Sequence, residues 1–218
     1  MISIDQELKQ ICPTVCLGVL MYNGEVTESS PALIKIFDQK VRQLKEQYRI
    51  EDIPLLPHVK STRALYRALG KAPSSYRNSA EAMLRRVVNG KGLYHINNII
   101  EVNNLISISS GYSIGSYTME NIIGEVGFEI AKEGAHYEGI GKDSVNIARL
   151  PVLYDEMGYF GNPTGDSQRT LVQLGQQKIL TVLYSFDGRD DLVSWMDQYQ
   201  QYLSQYCGIQ EVRKQIIT

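Results

Sequence analysis

The sequence predicts an α+β fold, a single domain of residues 1–218 with a β-rich core flanked by helices. From residue 31 to 110 apolar residues recur mostly at steps of three and four, the period of amphipathic helices. Beyond Gly111 they alternate or gather in short runs of β formers, the signature of strands. Helices and strands therefore segregate along the chain, which argues against a doubly wound parallel sheet. The size agrees: 218 residues, 43% hydrophobic and 21% charged, can bury a substantial core and are not the composition of a disordered or fibrous chain.

Residues 15–22 (Val-Cys-Leu-Gly-Val-Leu-Met-Tyr) read as a buried strand, closed by the turn dipeptide Asn23-Gly24. Ser29-Ser30-Pro31 then opens a helix, with serine as N-cap and proline at the first helical position. Leu33, Phe37, Val41, Leu44 and Tyr48 form its apolar stripe, opposite Lys35, Asp38, Gln39, Arg42 and Lys45. A second helix is predicted over 62–69, stopped by Gly70. A third starts at Asn78, where Glu81 three residues on gives a capping-box spacing; it buries Met83, Leu84, Val87 and Val88 and stops at Gly90. The fourth covers about residues 98–110, ends at Gly111 and carries the pair Asn103-Asn104, one of which must point inward or toward a cleft.

After Gly111, Val126, Phe128 and Ile130 alternate as a strand. Residues 152–154 and 179–186 also read as strands, with 158–165 a loop between them. Asp187-Gly188 is a turn. Asp190 or Asp191 then caps a final helix with Leu192, Met196, Tyr199, Leu203 and Tyr206 on its apolar side, ended by Gly208.

Most function classes are excluded by what the chain lacks. There is no G-x-x-x-x-G-K-[ST] phosphate loop, no H-E-x-x-H and no G-x-S-x-G. Cys12, Cys16 and Cys207, like His58, His95 and His136, have no metal-ligand spacing, so neither metal nor cofactor is expected. No apolar run reaches the roughly 18–20 residues of a membrane span, and the first residues do not form a secretory signal. A cytoplasmic protein with reduced thiols is the expectation.

Charge is unevenly placed. Residues 60–91 hold Lys60, Arg63, Arg67, Lys71, Arg77, Arg85, Arg86 and Lys91 against one acid, Glu81, a local charge of +7 that leaves −9 on the rest. These are either the wet faces of two helices or a surface for a phosphate backbone. Three polar clusters are the candidate sites: Asn103-Asn104; Ile114-Gly115-Ser116-Tyr117, expected in a loop beyond the fourth helix; and Gly165-Asp166-Ser167-Gln168-Arg169-Thr170. Each has a plain structural alternative, a helix-terminal hydrogen bond or a turn tied by Asx and Ser/Thr bonds.

Taken in order, the blocks Arg63-Ala64-Leu65-Tyr66-Arg67-Ala68-Leu69-Gly70-Lys71, Pro73-Ser74-Ser75-Tyr76-Arg77 and Ser79-Ala80-Glu81-Ala82-Met83-Leu84-Arg85-Arg86 resemble the stand-alone B3/B4 domain family. The likeness continues through Gly90-Lys91-Gly92, Asn104, Ile114-Gly115-Ser116-Tyr117, Asp166-Ser167 and Arg169-Thr170, and is strongest over residues 53–191. The same domain occurs in the β subunit of bacterial phenylalanyl-tRNA synthetase, where it hydrolyses tyrosine wrongly esterified to phenylalanine tRNA. The resemblance implies a mixed fold and an editing pocket that cleaves an ester the first pocket failed to reject.

Residue by residue, the carry-over is partial. Asn103-Asn104 matches a Thr-Asn pair of the synthetase pattern, so the asparagine remains and the threonine does not. An editing histidine falls at Gly115. The hydroxyl-sensing glutamate belongs to the region 158–170, where Asp166 is the nearest acid and Glu156 a more distant one. Two outcomes stay open: a site rebuilt around Asp166, Ser167 and Arg169, or a pocket kept without the reaction. In the first, a trans-acting aminoacyl-tRNA deacylase, Asn104, Asp166 and Ser167 are the catalytic candidates. Asn103, Gly115, Ser116, Tyr117, Arg169 and Thr170 would bind the aminoacyl ester, and the eight basic residues the acceptor end of tRNA. In the second, the same pocket holds RNA, a free aromatic amino acid or its ester. Neither DNA nor a membrane is an expected partner.

Overall fold

A strand that is apolar on both faces must lie between two layers, and β2 (Cys16–Val26) is such a strand. The structure, a computed structural model, describes residues 2–218, with Lys142 by its backbone alone. Here β2 lies inside a four-stranded antiparallel sheet of order β10 (Val212–Ile217), β2, β9 (Gly175–Ser185), β3 (Ser113–Thr118). Alternation then divides its side chains. Leu20 and Tyr22 of β2, Ile114 of β3 and Ile179 and Leu183 of β9 pack against α2 (Pro31–Gln47), α5 (Asn98–Ser110) and α6 (Leu192–Cys207). Leu17 and Val19, Tyr117, and Leu180, Val182 and Tyr184 face the other way.

What they face is a second sheet of order β1 (Ile2–Ile4), β4 (Val126–Ile130), β7 (Pro151–Asp155), β8 (Gly158–Gly161), through Ile4, Phe128, Leu153 and Phe160. The architecture is thus helices, sheet, sheet: an α+β fold. Two further helices, α3 (Pro57–Ala68) and α4 (Ser79–Val88), pack beside the layers around Ile53, Val59, Leu84 and Val87. α1 (Gln6–Ile11) and the hairpin of β5 (His136–Gly139) with β6 (Lys142–Asn146) complete the chain.

Several local expectations hold. Ser30 caps α2 by accepting from Leu33 N at 3.3 Å, with Pro31 in the first turn. Asn78 caps α4 by accepting from Glu81 N at 2.8 Å. Gly111 and Gly208 end α5 and α6 in the left-handed conformation that favours glycine.

Others need correction. Asn23-Gly24 is not a turn: β2 runs through it to Val26, and Gly24 is there because a Cβ would collide with the Ile209 side chain. The second predicted helix begins earlier, at Pro57. Residues 158–161 are a strand, not a loop. Asp191 precedes α6 but its carboxylate caps nothing; it accepts from Tyr112 Oη at 2.7 Å and Trp195 Nε1 at 3.0 Å, and pairs with His58 Nε2 at 3.0 Å. Residues 114–117 are not a loop either. They are the body of β3, and this decides where the candidate residues go.

Candidate functional site

Consecutive residues of a strand point to opposite faces, so β3 cannot present Ser116 and Tyr117 to one ligand. Ser116 turns toward the helices. Its Oγ donates to Asn103 Oδ1 at 3.0 Å and lies 2.8 Å from Thr181 Oγ1, which in turn lies 3.0 Å from the Tyr22 hydroxyl. Asn103 Nδ2 donates to Ile114 O at 3.1 Å. Asn103 is thus the inward asparagine, as the sequence required of one of the pair. The network is buried and its polar groups answer one another, so it fixes α5 on the sheet. Asn104 is half-buried and makes no side-chain hydrogen bond to Asp166, Ser167 or Tyr117.

Tyr117 turns the other way, into the space between the sheets. Its ring lies back over Gly115 and against Gly161: a Cβ built on either glycine would run into the Tyr117 hydroxyl and ring. The place where a residue-115 side chain would project is therefore filled by a phenol. That hydroxyl donates to Asp166 Oδ1 at 2.8 Å and lies 2.6 Å from the Tyr184 hydroxyl on β9.

Around Asp166 the loop 162–167 is held from three sides. Asn162 Oδ1 accepts from Thr164 N at 2.7 Å and Gly165 N at 3.2 Å, and Asn162 Nδ2 donates to the Tyr137 hydroxyl at 2.7 Å. Tyr137, on β5, donates to Gly165 O. Tyr66, on α3, lies 2.8 Å from Thr164 Oγ1. The hairpin closes over the loop, with Ile140 N donating to Asp166 O at 3.1 Å. One carboxyl thus sits among Tyr66, Tyr117, Tyr137 and Tyr184, phenols from four separate elements, with no cation paired to it among the described residues.

The electrostatics follow. Burial penalises the ionised form and pushes the Asp166 carboxyl up to about 7, although the Tyr117 hydrogen bond pulls it down. Burial, and with it the Asp166 charge, pushes Tyr117, Tyr137 and Tyr184 up, so they are neutral donors. A carboxyl raised to about 7 beside neutral hydroxyls is a candidate acid–base group.

Arg169 does not belong to this group. Its guanidinium donates to both oxygens of Asp155 (2.9 and 2.8 Å), to Asn121 O at 2.6 Å and to Gly158 O at 3.0 Å. Expected in the rebuilt site as a ligand of the aminoacyl ester, it instead locks the β7–β8 turn to the loop after β3. Ser167 is buried, and its Oγ accepts from Arg169 N at 3.2 Å to cap the short turn 168–170. Thr170 is buried with no hydrogen-bond partner for its hydroxyl. Of the expected cluster, then, the structure brings Asp166, Tyr117 and Gly115 together and places Asn103, Ser116, Ser167 and Arg169 in the framework.

The basic residues are also sorted. Glu81, fully buried, takes Arg63 at 2.8 Å and Arg85 at 2.9 Å. Lys60, Arg67, Arg77 and Lys91 are exposed, and Lys71 and Arg86 partly so. The segment adjoins the Asp166 loop directly, because Ser79 N donates to Pro163 O at 2.7 Å beside the Tyr66–Thr164 contact.

A family model described as B3/4 domain matches residues 61–207, two thirds of the chain and nearly every element of the site. The chain belongs to the B3/4 domain family. Among solved structures this B3/4 domain is similar to an N-terminal fragment of the phenylalanyl-tRNA synthetase β-subunit from Pyrococcus horikoshii, at 11% identity and a TM-score of 0.47. That similarity covers 100% of this chain and 50% of the fragment, so the chain spans half the fragment's length. No curated protein matches the sequence. No group of three or more His, Cys, Asp or Glu is arranged to hold a metal among the described residues, and no helix there is long and apolar enough to cross a membrane.

Proposed function

We propose that this B3/4 domain is a trans-acting aminoacyl-tRNA deacylase of the cytoplasm, with Asp166 as its acid–base group. The observation that carries the reading is the buried Asp166 carboxyl, paired with no cation among the described residues and shifted to about 7, at a point where four tyrosines and the basic helices converge. An aminoacyl ester is cleaved when water attacks its carbonyl carbon, the C–O bond to the ribose breaks, and a proton passes from the water to the leaving ribose oxygen. Ionised Asp166 takes the proton from water and, once protonated, can return it to that oxygen. Tyr117, neutral and already donating a hydrogen bond, orients the carboxylate. The exposed cations of residues 60–91 bind the acceptor end and explain why the segment is so basic.

The second reading, a pocket that binds RNA or an aromatic amino acid without chemistry, draws on a different observation: the Tyr117 hydroxyl fills the space over Gly115, so the histidine of the synthetase pattern has no counterpart. The test is ester hydrolysis by catalytic amounts of protein over a panel of aminoacyl-tRNAs, beginning with tyrosine on phenylalanine tRNA. Multiple turnover on one member, lost in Asp166→Asn and rising with pH through about 7, is the expected result. Binding of tRNA with no acceleration on any member would overturn the deacylase and leave the binding reading.

A further inference from the structure

Of the fourteen tyrosines, most are packed in the core or against it, and the exception stands out. Tyr94, in the loop between α4 and α5, is 74% exposed, and Ile96 beside it 59%. The loop is nonetheless anchored. Leu93 packs into the core under α4, and His95 Nδ1 lies 3.3 Å from the buried carboxylate of Glu101. Glu101 also accepts from Ile96 N at 2.9 Å. Arg86, in the last turn of α4, donates through Nε to Gly92 O at 3.3 Å and places its guanidinium 4.9 Å from the centroid of the Tyr94 ring. Lys45 lies against Gly90, and Lys91 is exposed. An aromatic ring is thus displayed outward on an anchored loop, with the Arg86 guanidinium against it and Lys45 and Lys91 at the preceding turn.

A second pair lies just before the other end of the same helix. Lys71 Nζ sits 4.6 Å from the centroid of the Tyr76 ring, next to exposed Arg77. The helix between the two pairs is about 15 Å long at the usual rise, the length of about four stacked nucleotides. Alternating displayed rings and cations is the chemistry of an unpaired strand, whose bases stack on aromatic faces while its phosphates meet the charges. A duplex offers phosphates but no free base faces.

We propose that the Arg86–Tyr94 and Lys71–Tyr76 pairs are base-stacking sites for a single-stranded RNA end laid along α4. The proposal rests on the reading that RNA is the partner and adds which part of the RNA these residues hold. It is tested by measuring affinity for a short RNA hairpin with a single-stranded 3′ overhang and for the same hairpin made blunt, across a salt series. Tyr94→Ala should weaken the overhang RNA about tenfold, leave the blunt one unchanged and keep the salt slope. Tyr94→Phe, which retains a ring, should restore binding, and Tyr76→Ala should act in the same direction. Arg67→Gln should reduce the salt slope for both RNAs. Equal affinity of overhang and blunt RNA, or an unchanged Tyr94→Ala, overturns the stacking sites while RNA binding itself survives. Failure of both RNAs to bind at low salt removes the RNA reading and the stacking sites together.

Discussion

Asp155 and Asp166 flank the same short strand, β8, and meet opposite fates. Burial would push either carboxyl up. At Asp155 it is outweighed by the two-pronged Arg169 and by the N–H groups of Ile123 and Met157, which hold it below the ordinary carboxylate range. At Asp166 the Tyr117 phenol and the Asn162 backbone answer the charge, without a paired cation among the described residues; burial prevails, and the carboxyl rises to about 7. The first acid is part of the scaffold. The second is held where burial penalises its ionised form, which costs folding energy at neutral pH and above.

The contrast can be broken most forcefully at the scaffold. Asp155→Ala strands the Arg169 guanidinium among carbonyl oxygens and is expected to cost about 3–5 kcal/mol in denaturant unfolding. Asp166→Asn should do the reverse. Because the folded-state pKa is raised above the unfolded value near 3.9, the ionised carboxyl destabilises the fold increasingly as pH rises from about 4 to 7. The variant should therefore be more stable than the parent at pH 8, by up to about 4 kcal/mol, with the gain gone below pH 4, while losing any hydrolytic activity. A destabilised Asp166→Asn at pH 8 would place the acid in the scaffold too.

Two smaller effects sharpen the picture. Gly115→Ala forces Tyr117 off its seat and should cost about 1–3 kcal/mol by overpacking. A neutral outcome would mean the ring has somewhere else to go. The charged clamp on the far side of α3 supplies a paired counterpart. His58 lies 2.9 Å from Asp187 and 3.0 Å from Asp191 and stacks on Tyr112 with ring centroids 3.6 Å apart. Burial works against its imidazolium, but the two carboxylates prevail and raise it, while both acids are lowered. Its contribution is complete below the ordinary histidine value near 6.5 and lost as pH rises through the raised folded value; the acids' contribution is lost as pH falls through their lowered values. His58→Asn should thus cost about 1 kcal/mol near pH 6 and less at pH 9.

Much of this arrangement was legible in the sequence. Helix starts at Ser30 and Asn78, stops at Gly111 and Gly208, and an inward asparagine at 103 or 104 all follow from local rules, because capping and periodicity act within a few residues; Asp166 was singled out by its polar loop and the family resemblance, and which asparagine turns inward was not legible. The company Asp166 keeps was not legible. Tyr66, Tyr137 and Tyr184 come from a helix, a hairpin and a strand far apart in the chain, and an isolated tyrosine reads as packing until the fold brings four hydroxyls together. Taking residues 114–117 for a loop had the largest consequence. In a loop Ser116 and Tyr117 can share a ligand, whereas in a strand the period of two sends them to different layers. Arg169 was misassigned for a related reason: its partner, Asp155, is set by the sheet register rather than by spacing.

The most direct test of the raised, uncompensated carboxyl is a carbon-13 NMR titration of the aspartate side chains of the intact protein, with Asp166→Asn to assign the signal. The account requires one aspartate with its midpoint near 7, absent in that variant and moved further up in Tyr117→Phe, which loses the hydrogen bond that lowers it. If every aspartate has titrated by about pH 5, Asp166 is an ordinary carboxylate and the acid–base role proposed for it is wrong.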